Sequence, residues 1–83
     1  MGKILCPICG KHFFKEVNDF NICPFCGWEN DGMQNDDENL SGMANELSQK
    51  EYRIVYLKLL NKQPDYVWEK TPELMIDKQL GNK

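Results

Sequence analysis

The chain contains four cysteines, and they form two Cys-x-x-Cys pairs, Cys6/Cys9 and Cys23/Cys26. Both pairs occur in the same phrase, Cys-Pro-x-Cys-Gly, and thirteen residues separate the pairs. Four soft sulfur donors in this arrangement are within reach of one tetrahedral ion, which is the coordination that structural zinc favours. The spacing therefore predicts one Zn²⁺ held by Cys6, Cys9, Cys23 and Cys26.

Two other uses of the cysteines are alternatives to the metal site: a redox-active dithiol and a disulfide framework. A redox-active pair sits at the start of a helix in a βαβ setting, and neither pair here is followed by helical periodicity. A disulfide framework needs an oxidising compartment, whereas the N-terminal residues include no apolar run of signal-peptide length. No later stretch approaches the length of a membrane span. We therefore expect a protein of the reducing cytoplasm.

The same residues argue against catalysis. Four thiolates close the coordination sphere, whereas a catalytic zinc keeps one position open for water beside a Glu or His base. The single histidine, His12, lies between the two cysteine pairs, so no Ser-His-Asp set is available. We interpret His12 as an exposed hairpin residue rather than as a fifth ligand. We expect no enzymatic activity.

The residues around the cysteines predict the turns that position the sulfurs. Gly10 and Gly27 each follow the second cysteine of a pair, where a positive φ would let backbone amides face the sulfurs. Pro7 and Pro24 stiffen the same two turns. We therefore expect two tight metal-binding turns of the same kind.

The insert between the pairs is long enough to form a short hairpin. Its apolar residues predict two arms, with Phe13 and Phe14 on one and Phe20 and Ile22 on the other. Two metal-binding turns at the ends of a hairpin are typical of a zinc ribbon.

Residues 29–47 are polar and acidic, with six carboxylates and no Lys or Arg. They show no periodicity, so we predict a loop. A nineteen-residue connection is unusual inside a compact domain, and such loops tend to be functional or partly disordered. It lacks the alternating acids, central glycine and closing Glu of an EF-hand calcium loop. Met33, Leu40 and Met43 are the apolar residues available to attach it to a core.

The clearest helix start is at residues 48–51, Ser-Gln-Lys-Glu, which have the pattern of a capping box. Apolar residues then recur at helical spacing until Pro64, which predicts a helix over residues 49–62. This apolar face comprises Tyr52, Val55, Tyr56, Leu59 and Leu60. A short second helix is predicted to begin at Thr71-Pro72-Glu73 and to end near Gly81.

With 83 residues the chain has little room for a large apolar core. We predict a small α+β fold: a zinc-ribbon β-hairpin, an acidic loop, one amphipathic helix and a short C-terminal helix. Residues 1–63 form the zinc-ribbon and helix domain, and residues 64–83 form a C-terminal extension.

The net charge is −3, and four thiolates with one divalent ion would lower it by two more, to about −5. This charge disfavours a general affinity for nucleic acid.

Several segments, in this order, resemble the bacterial cysteine-rich CPCC family. They are Cys6-Pro7-Ile8-Cys9-Gly10, Ile22-Cys23-Pro24-Phe25-Cys26, Trp28-Glu29-Asn30-Asp31, Ser41-Gly42-Met43-Ala44-Asn45 and Leu47-Ser48. The resemblance covers about residues 4–60. This sequence departs from the family pattern at Ile8, where the family has an extra cysteine, and at Gly27, where the family often has a bulky residue. The resemblance implies a small zinc-binding protein of a bacterium or phage, without a settled molecular activity.

The resemblance leaves two interpretations of residues 28–31 and 41–45. Trp28 packs on the helix while the polar side chains cap and turn the loop, or these residues form a binding surface. We favour a non-catalytic module that docks onto an unidentified protein partner, with a contact at Asp36, Asp37 and Glu38. The oligomeric state is left open.

The first alternative is a nucleic-acid-binding zinc ribbon, and the second is a thiol redox protein. The C-terminal part of the chain supports the first, because Tyr66 and Trp68 could stack on bases and six basic residues outnumber four acids. The basic residues are Arg53, Lys58, Lys62, Lys70, Lys78 and Lys83. In the helix they flank the apolar face without forming a block of their own.

Overall fold

The computed structural model describes residues 4–71, which form a small α+β unit. The elements are β1 (Ile4–Leu5), β2 (Phe13–Phe14), α1 (Gly32–Asp36) and α2 (Gln49–Lys62). Within this part of the chain, no helix is long and apolar enough to cross a membrane. The helix predicted from Thr71-Pro72-Glu73 onward falls outside the described residues and stays a prediction.

The predicted pairing of the hairpin arms is wrong. β2 pairs antiparallel with β1, which precedes the first cysteine pair, and Leu5 lies opposite Phe13. Ile22 does not join β2 but forms a bridge with Glu29, on the far side of the second cysteine pair. The reason is local, because a tight turn can join antiparallel strands directly. Each Cys-x-x-Cys-Gly phrase supplies such a turn and closes a small hairpin of its own.

The two turns have matching hydrogen bonds. We call residues 6–10 the first knuckle and residues 23–27 the second knuckle. In the first, the Gly10 amide donates to the Cys6 carbonyl at 3.1 Å; in the second, the Gly27 amide donates to the Cys23 carbonyl at 2.8 Å. The repeated phrase therefore produces the same local structure twice.

Residues 29–47 are not the unstructured connection predicted from their composition. They include α1, whose N-cap Asp31 accepts hydrogen bonds from the amides of Met33 and Gln34. Gln34 is buried, and its Nε2 atom donates to the carbonyls of Leu40, Asn45 and Leu47 at 3.0, 3.1 and 3.2 Å. Met33, expected to anchor the loop, is exposed. Side-chain amides hold the interior of this segment, and Leu47 at its end is buried in the apolar core.

Helix α2 spans the predicted residues, and its capping box is formed. The Ser48 Oγ accepts from the Glu51 amide at 3.2 Å, and the Glu51 Oε1 accepts from the Ser48 amide at 3.0 Å. Tyr52, Tyr56 and Leu59 make up its buried apolar face. This face packs in a core that also contains the cysteines.

Replacing Ser48 by Ala should lower the free energy of unfolding by about 1 kcal/mol, because the first turn of α2 loses a cap. The measurement is denaturant unfolding, with amide hydrogen exchange at residues 49–51 as a local readout. Ser41→Ala is the matched control, since Ser41 is exposed and caps no helix. Equal midpoints for Ser48→Ala and the wild type would show that tertiary contacts, rather than the cap, define the helix start.

Candidate metal centre

The four predicted ligand residues lie together. Their Sγ atoms are all within 4.8 Å of one another, and the cysteines are free of disulfide bonds. Across the two knuckles, Cys6 and Cys26 are 3.5 Å apart and Cys9 and Cys23 are 3.6 Å apart, sulfur to sulfur. A tetrahedral ion with zinc–sulfur bonds of about 2.3 Å separates its ligands by about 3.8 Å. The cluster therefore has the size that such an ion requires.

The cluster is closed to solvent on most sides. Cys6, Cys23 and Cys26 are buried, and Cys9 is half-buried. Ile8, which stands where the family has its extra cysteine, is also buried and belongs to the apolar core. His12 is half-buried rather than exposed as predicted, because its ring packs edge-on against Phe14 at 5.0 Å. Among residues 4–71 the candidate metal group contains cysteines alone.

Close packing of the thiols shifts their pKa values in opposite directions. Hydrogen bonds from Cys26 and Cys6 lower the pKa of Cys23 to about 7, and a hydrogen bond from Cys23 lowers that of Cys9. Contact with Cys23 raises the pKa values of Cys6 and Cys26, and burial raises them further. Adjacent thiolates repel one another, so protons stay on part of the set unless a cation replaces them. A divalent ion would replace these protons and bind all four sulfurs at once.

Both knuckle glycines have the predicted positive φ, 67° at Gly10 and 85° at Gly27. At the first knuckle, the Lys11 amide donates to the Cys9 Sγ at 3.4 Å. Gly27 has a second reason to be glycine, because a Cβ atom there would overlap the indole of Trp68. Glycine at this position therefore leaves room for the Trp68 indole.

The described part of the C-terminal extension, residues 64–71, contacts the second knuckle. The Trp68 amide donates to the Phe25 carbonyl at 3.0 Å, and the Glu69 amide donates to the Pro24 carbonyl at 2.9 Å. The division of the chain into a domain of residues 1–63 and a C-terminal extension of residues 64–83 stays a prediction. Because the Trp68 indole packs over Gly27, the stacking on bases considered for it would require the indole to leave this position.

Helix α2 is hydrogen-bonded to both knuckles through residues that sequence reasoning did not assign to the site. Arg53 donates from Nη2 and Nε to the Pro7 carbonyl, at 2.9 and 3.3 Å. The Tyr52 hydroxyl donates to the Cys26 carbonyl at 2.7 Å. The sequence identified Arg53 only as one of several scattered basic residues. No local signal links it to Pro7, which lies 46 positions away.

The residues that suggested a patterned loop have structural roles. Trp28 is buried with its ring edge-on to Tyr52 at 5.2 Å, and its Nε1 donates to Asn35. Asn45 is buried, accepts from the Glu29 amide and donates to the Glu29 carbonyl, both at 2.9 Å. These contacts support the interpretation that residues 28–31 and 41–45 cap and turn the loop.

Comparison with protein families gives a matching family model. The family model described as Cysteine-rich CPCC matches residues 4–64, from β1 to just beyond α2. The matched range contains all four cysteines and the segment that folds over them. A search of curated proteins found no match to the chain.

The two knuckle glycines provide a matched pair of substitutions. Gly10→Ala should cost about 1–2 kcal/mol of stability, because it places a Cβ atom at a positive φ in open space. Gly27→Ala should lower the free energy of unfolding by at least about 1 kcal/mol more than Gly10→Ala does, because it also displaces Trp68 from a packed position. Denaturant unfolding at saturating metal measures both.

The added cost of Gly27→Ala should disappear in a Trp68→Ala background, where the clashing indole is gone. Equal costs for the two glycine substitutions in the wild-type chain would contradict the packing of Trp68 over the second knuckle.

Proposed function

The chain belongs to the cysteine-rich CPCC family, and we propose that it is a small zinc-binding module that docks onto a protein partner without catalysis of its own. The observation that carries the proposal is the convergence of all four sulfurs, three of them buried, within 4.8 Å. The proposal places the module in the reducing cytoplasm, because four thiolates bind a metal only while they remain reduced.

Zinc is proposed because four thiolates in a tetrahedron form the closed coordination sphere of a structural zinc site. Cys6, Cys9, Cys23 and Cys26 would hold the ion and would bind it deprotonated. In this role the metal joins the two knuckles and presents no open position to a substrate. The proposed activity is therefore recognition, which must be carried by the surface rather than by the metal.

The hairpins carry the surface that best fits protein docking. Leu5 and Phe13 lie opposite each other in the β1–β2 register and are 49% and 58% exposed. Ile22 is 44% exposed and lines the same surface groove as Phe13. We call Leu5, Phe13 and Ile22 the apolar hairpin surface. Adjacent exposed apolar side chains of this kind mark interaction sites in small soluble domains.

Phe20, two residues before Ile22, supports the same interpretation. Its φ is 58°, a conformation that strains a bulky residue and that glycine would adopt at lower cost. The aromatic side chain nevertheless remains about half exposed. Strain retained at a surface aromatic residue is expected where the side chain has a binding role.

The exposed acids at the end of α1 provide a second part of the proposed docking surface. Asp36, Asp37 and Glu38 are all exposed. The Asp37 side chain accepts from the Asn39 amide at 3.0 Å, so this residue also shapes the local turn. A charge reversal that tests this surface is therefore best made at Asp36 and Glu38, which leaves that turn intact.

Arg53 bears on the choice between a protein and a nucleic-acid partner. It donates to the Pro7 carbonyl and, at 2.6 Å, to the Gln49 Oε1. A guanidinium held in this way is less available for phosphate contacts. This supports a protein partner, with nucleic-acid binding as the alternative to be tested.

The test is capture of partners from the source cells by the metal-loaded chain, with and without nuclease. We expect a discrete protein to be retained after nuclease treatment and to be reduced at least tenfold by Phe13→Ser. Leu57→Ser is the matched control, because Leu57 is 55% exposed but lies on α2. Asp36→Lys with Glu38→Lys should also weaken capture while leaving the unfolding midpoint within experimental error.

Failure of the wild-type chain to retain any protein would contradict the proposal. Salt-sensitive, sub-micromolar binding of DNA or RNA that is lost when Lys58 and Lys62 are neutralised would replace it with the nucleic-acid alternative.

A further inference from the structure

Helix α2 carries a surface groove that neither the core nor the proposed docking surface uses. We call it the α2 groove, and it is lined by Leu47, Glu51, Ile54, Val55 and Lys58. Ile54 is 48% exposed and Val55 is half-buried. The charged residues of the groove, Glu51 and Lys58, are both exposed. The α2 groove is therefore a second apolar surface, with one acid and one base at its sides.

The residues of the α2 groove have the spacing of a helix-pairing strip. Glu51, Ile54 and Lys58 are three and four positions apart, so they lie on one face of α2. Helices that pair with one another do so through strips in which apolar residues recur at this spacing. Here Ile54 and Val55 supply the apolar centre, and Leu47 adds a further apolar residue one turn before Glu51.

The two charges are placed symmetrically about this apolar centre. Glu51 lies three positions before Ile54, and Lys58 lies three positions after Val55. If two copies of α2 meet at the centre in antiparallel orientation, Glu51 of each copy faces Lys58 of the other. A parallel pair would instead bring like charges together. The groove is thus complementary to itself in one orientation, which is the property that a twofold interface requires.

Within one chain the same two charges are kept apart. Seven residues of helix separate Glu51 from Lys58 by about 10 Å along the axis. The Glu51 Oε1 also accepts from the Ser48 amide, which holds this side chain toward the start of α2. A second copy of the chain therefore brings the opposite charges closer together than α2 itself does.

We propose that the chain forms a twofold-symmetric dimer in which the α2 grooves of two copies pack antiparallel. Ile54 and Val55 form the centre of the interface, and two Glu51–Lys58 pairs between the copies flank it. Lys62 lies one turn beyond Lys58 and can extend its methylene stem over Leu47 of the second copy. The proposal goes beyond the proposed function, because it requires only that α2 be folded.

The dimer should be weak and reversible. Interfaces of this small size belong to transient complexes, and exposed ion pairs contribute orientation more than affinity. The residues of the apolar hairpin surface do not line the α2 groove, so a dimer presents that surface twice. Two linked copies of a docking surface bind a repeated partner more tightly than one copy does.

The first test is sedimentation equilibrium of the reduced, metal-loaded chain. A series up to about 1 mM, which detects even a millimolar dissociation constant, should show a monomer–dimer equilibrium. Ile54→Ser should raise the dissociation constant at least about tenfold, because the substitution acts twice in a twofold interface. Leu57→Ser is the matched control, since Leu57 is 55% exposed on the same helix but does not line the groove.

Exchange of the charges tests the antiparallel pairing. Glu51→Lys alone and Lys58→Glu alone each place like charges at both contacts, so each variant should be monomeric. An equimolar mixture of the two variants should form heterodimers, because every contact then joins opposite charges. Glu51→Lys also weakens the capping box, but a loss of helix stability cannot produce a heterodimer from two monomeric variants.

A wild-type chain that stays monomeric throughout the series would overturn the proposal. So would a dimer that Ile54→Ser leaves intact, or two charge variants that do not combine. If the chain is monomeric and Ile54→Ser abolishes capture of a protein partner, the α2 groove belongs to that partner instead of to a second copy. None of these results measures metal binding or capture through Phe13, so the proposed function stands or fails separately.

Discussion

Sulfur atoms that lie this close together repel one another when ionised, and this repulsion is the constraint on which the fold depends. All four sulfurs are within 4.8 Å of one another, so the cluster holds protons or holds a cation. The strands that carry it are two residues long, and isolated hairpins of that size are not stable in water. A metal ion bound there would convert the repulsion into four bonds. It would thereby supply the cross-link that a chain with so little core needs.

The rest of the molecule is arranged around the two knuckles. Arg53 and Tyr52 connect α2 to the backbone of the first and second knuckle respectively, and Trp68 covers the second at Gly27. Residues 29–47 are held by buried amides, with Gln34 at the centre. A buried polar network of this kind specifies one conformation when every member is paired. The exposed side chains of the apolar hairpin surface, and those of Asp36 and Glu38 at the end of α1, take part in none of these contacts.

The sequence predicted the features that depend on close neighbours along the chain. The positive φ of the knuckle glycines and the capping box at Ser48 involve residues within four positions, and the structure has both. The convergence of the two cysteine pairs was predicted from the four ligands that one metal ion requires, rather than from closeness along the chain. Pairing of β2 with β1 was missed because the Phe residues fit either partner. The role of Gln34 and the contact of Arg53 with Pro7 were missed because polar contacts between distant residues produce no periodicity.

Metal content of the reduced, folded chain tests the central claim most directly. Native mass spectrometry combined with elemental analysis should find one zinc ion per chain. Its removal by a chelator should unfold both hairpins, because apparent binding free energies of structural zinc sites, about 10–16 kcal/mol, match or exceed the stability of a small domain. A reduced chain that is folded without metal would contradict the account. One iron ion in place of zinc, which the same tetrahedral thiolate set accommodates, would contradict the assignment of the metal.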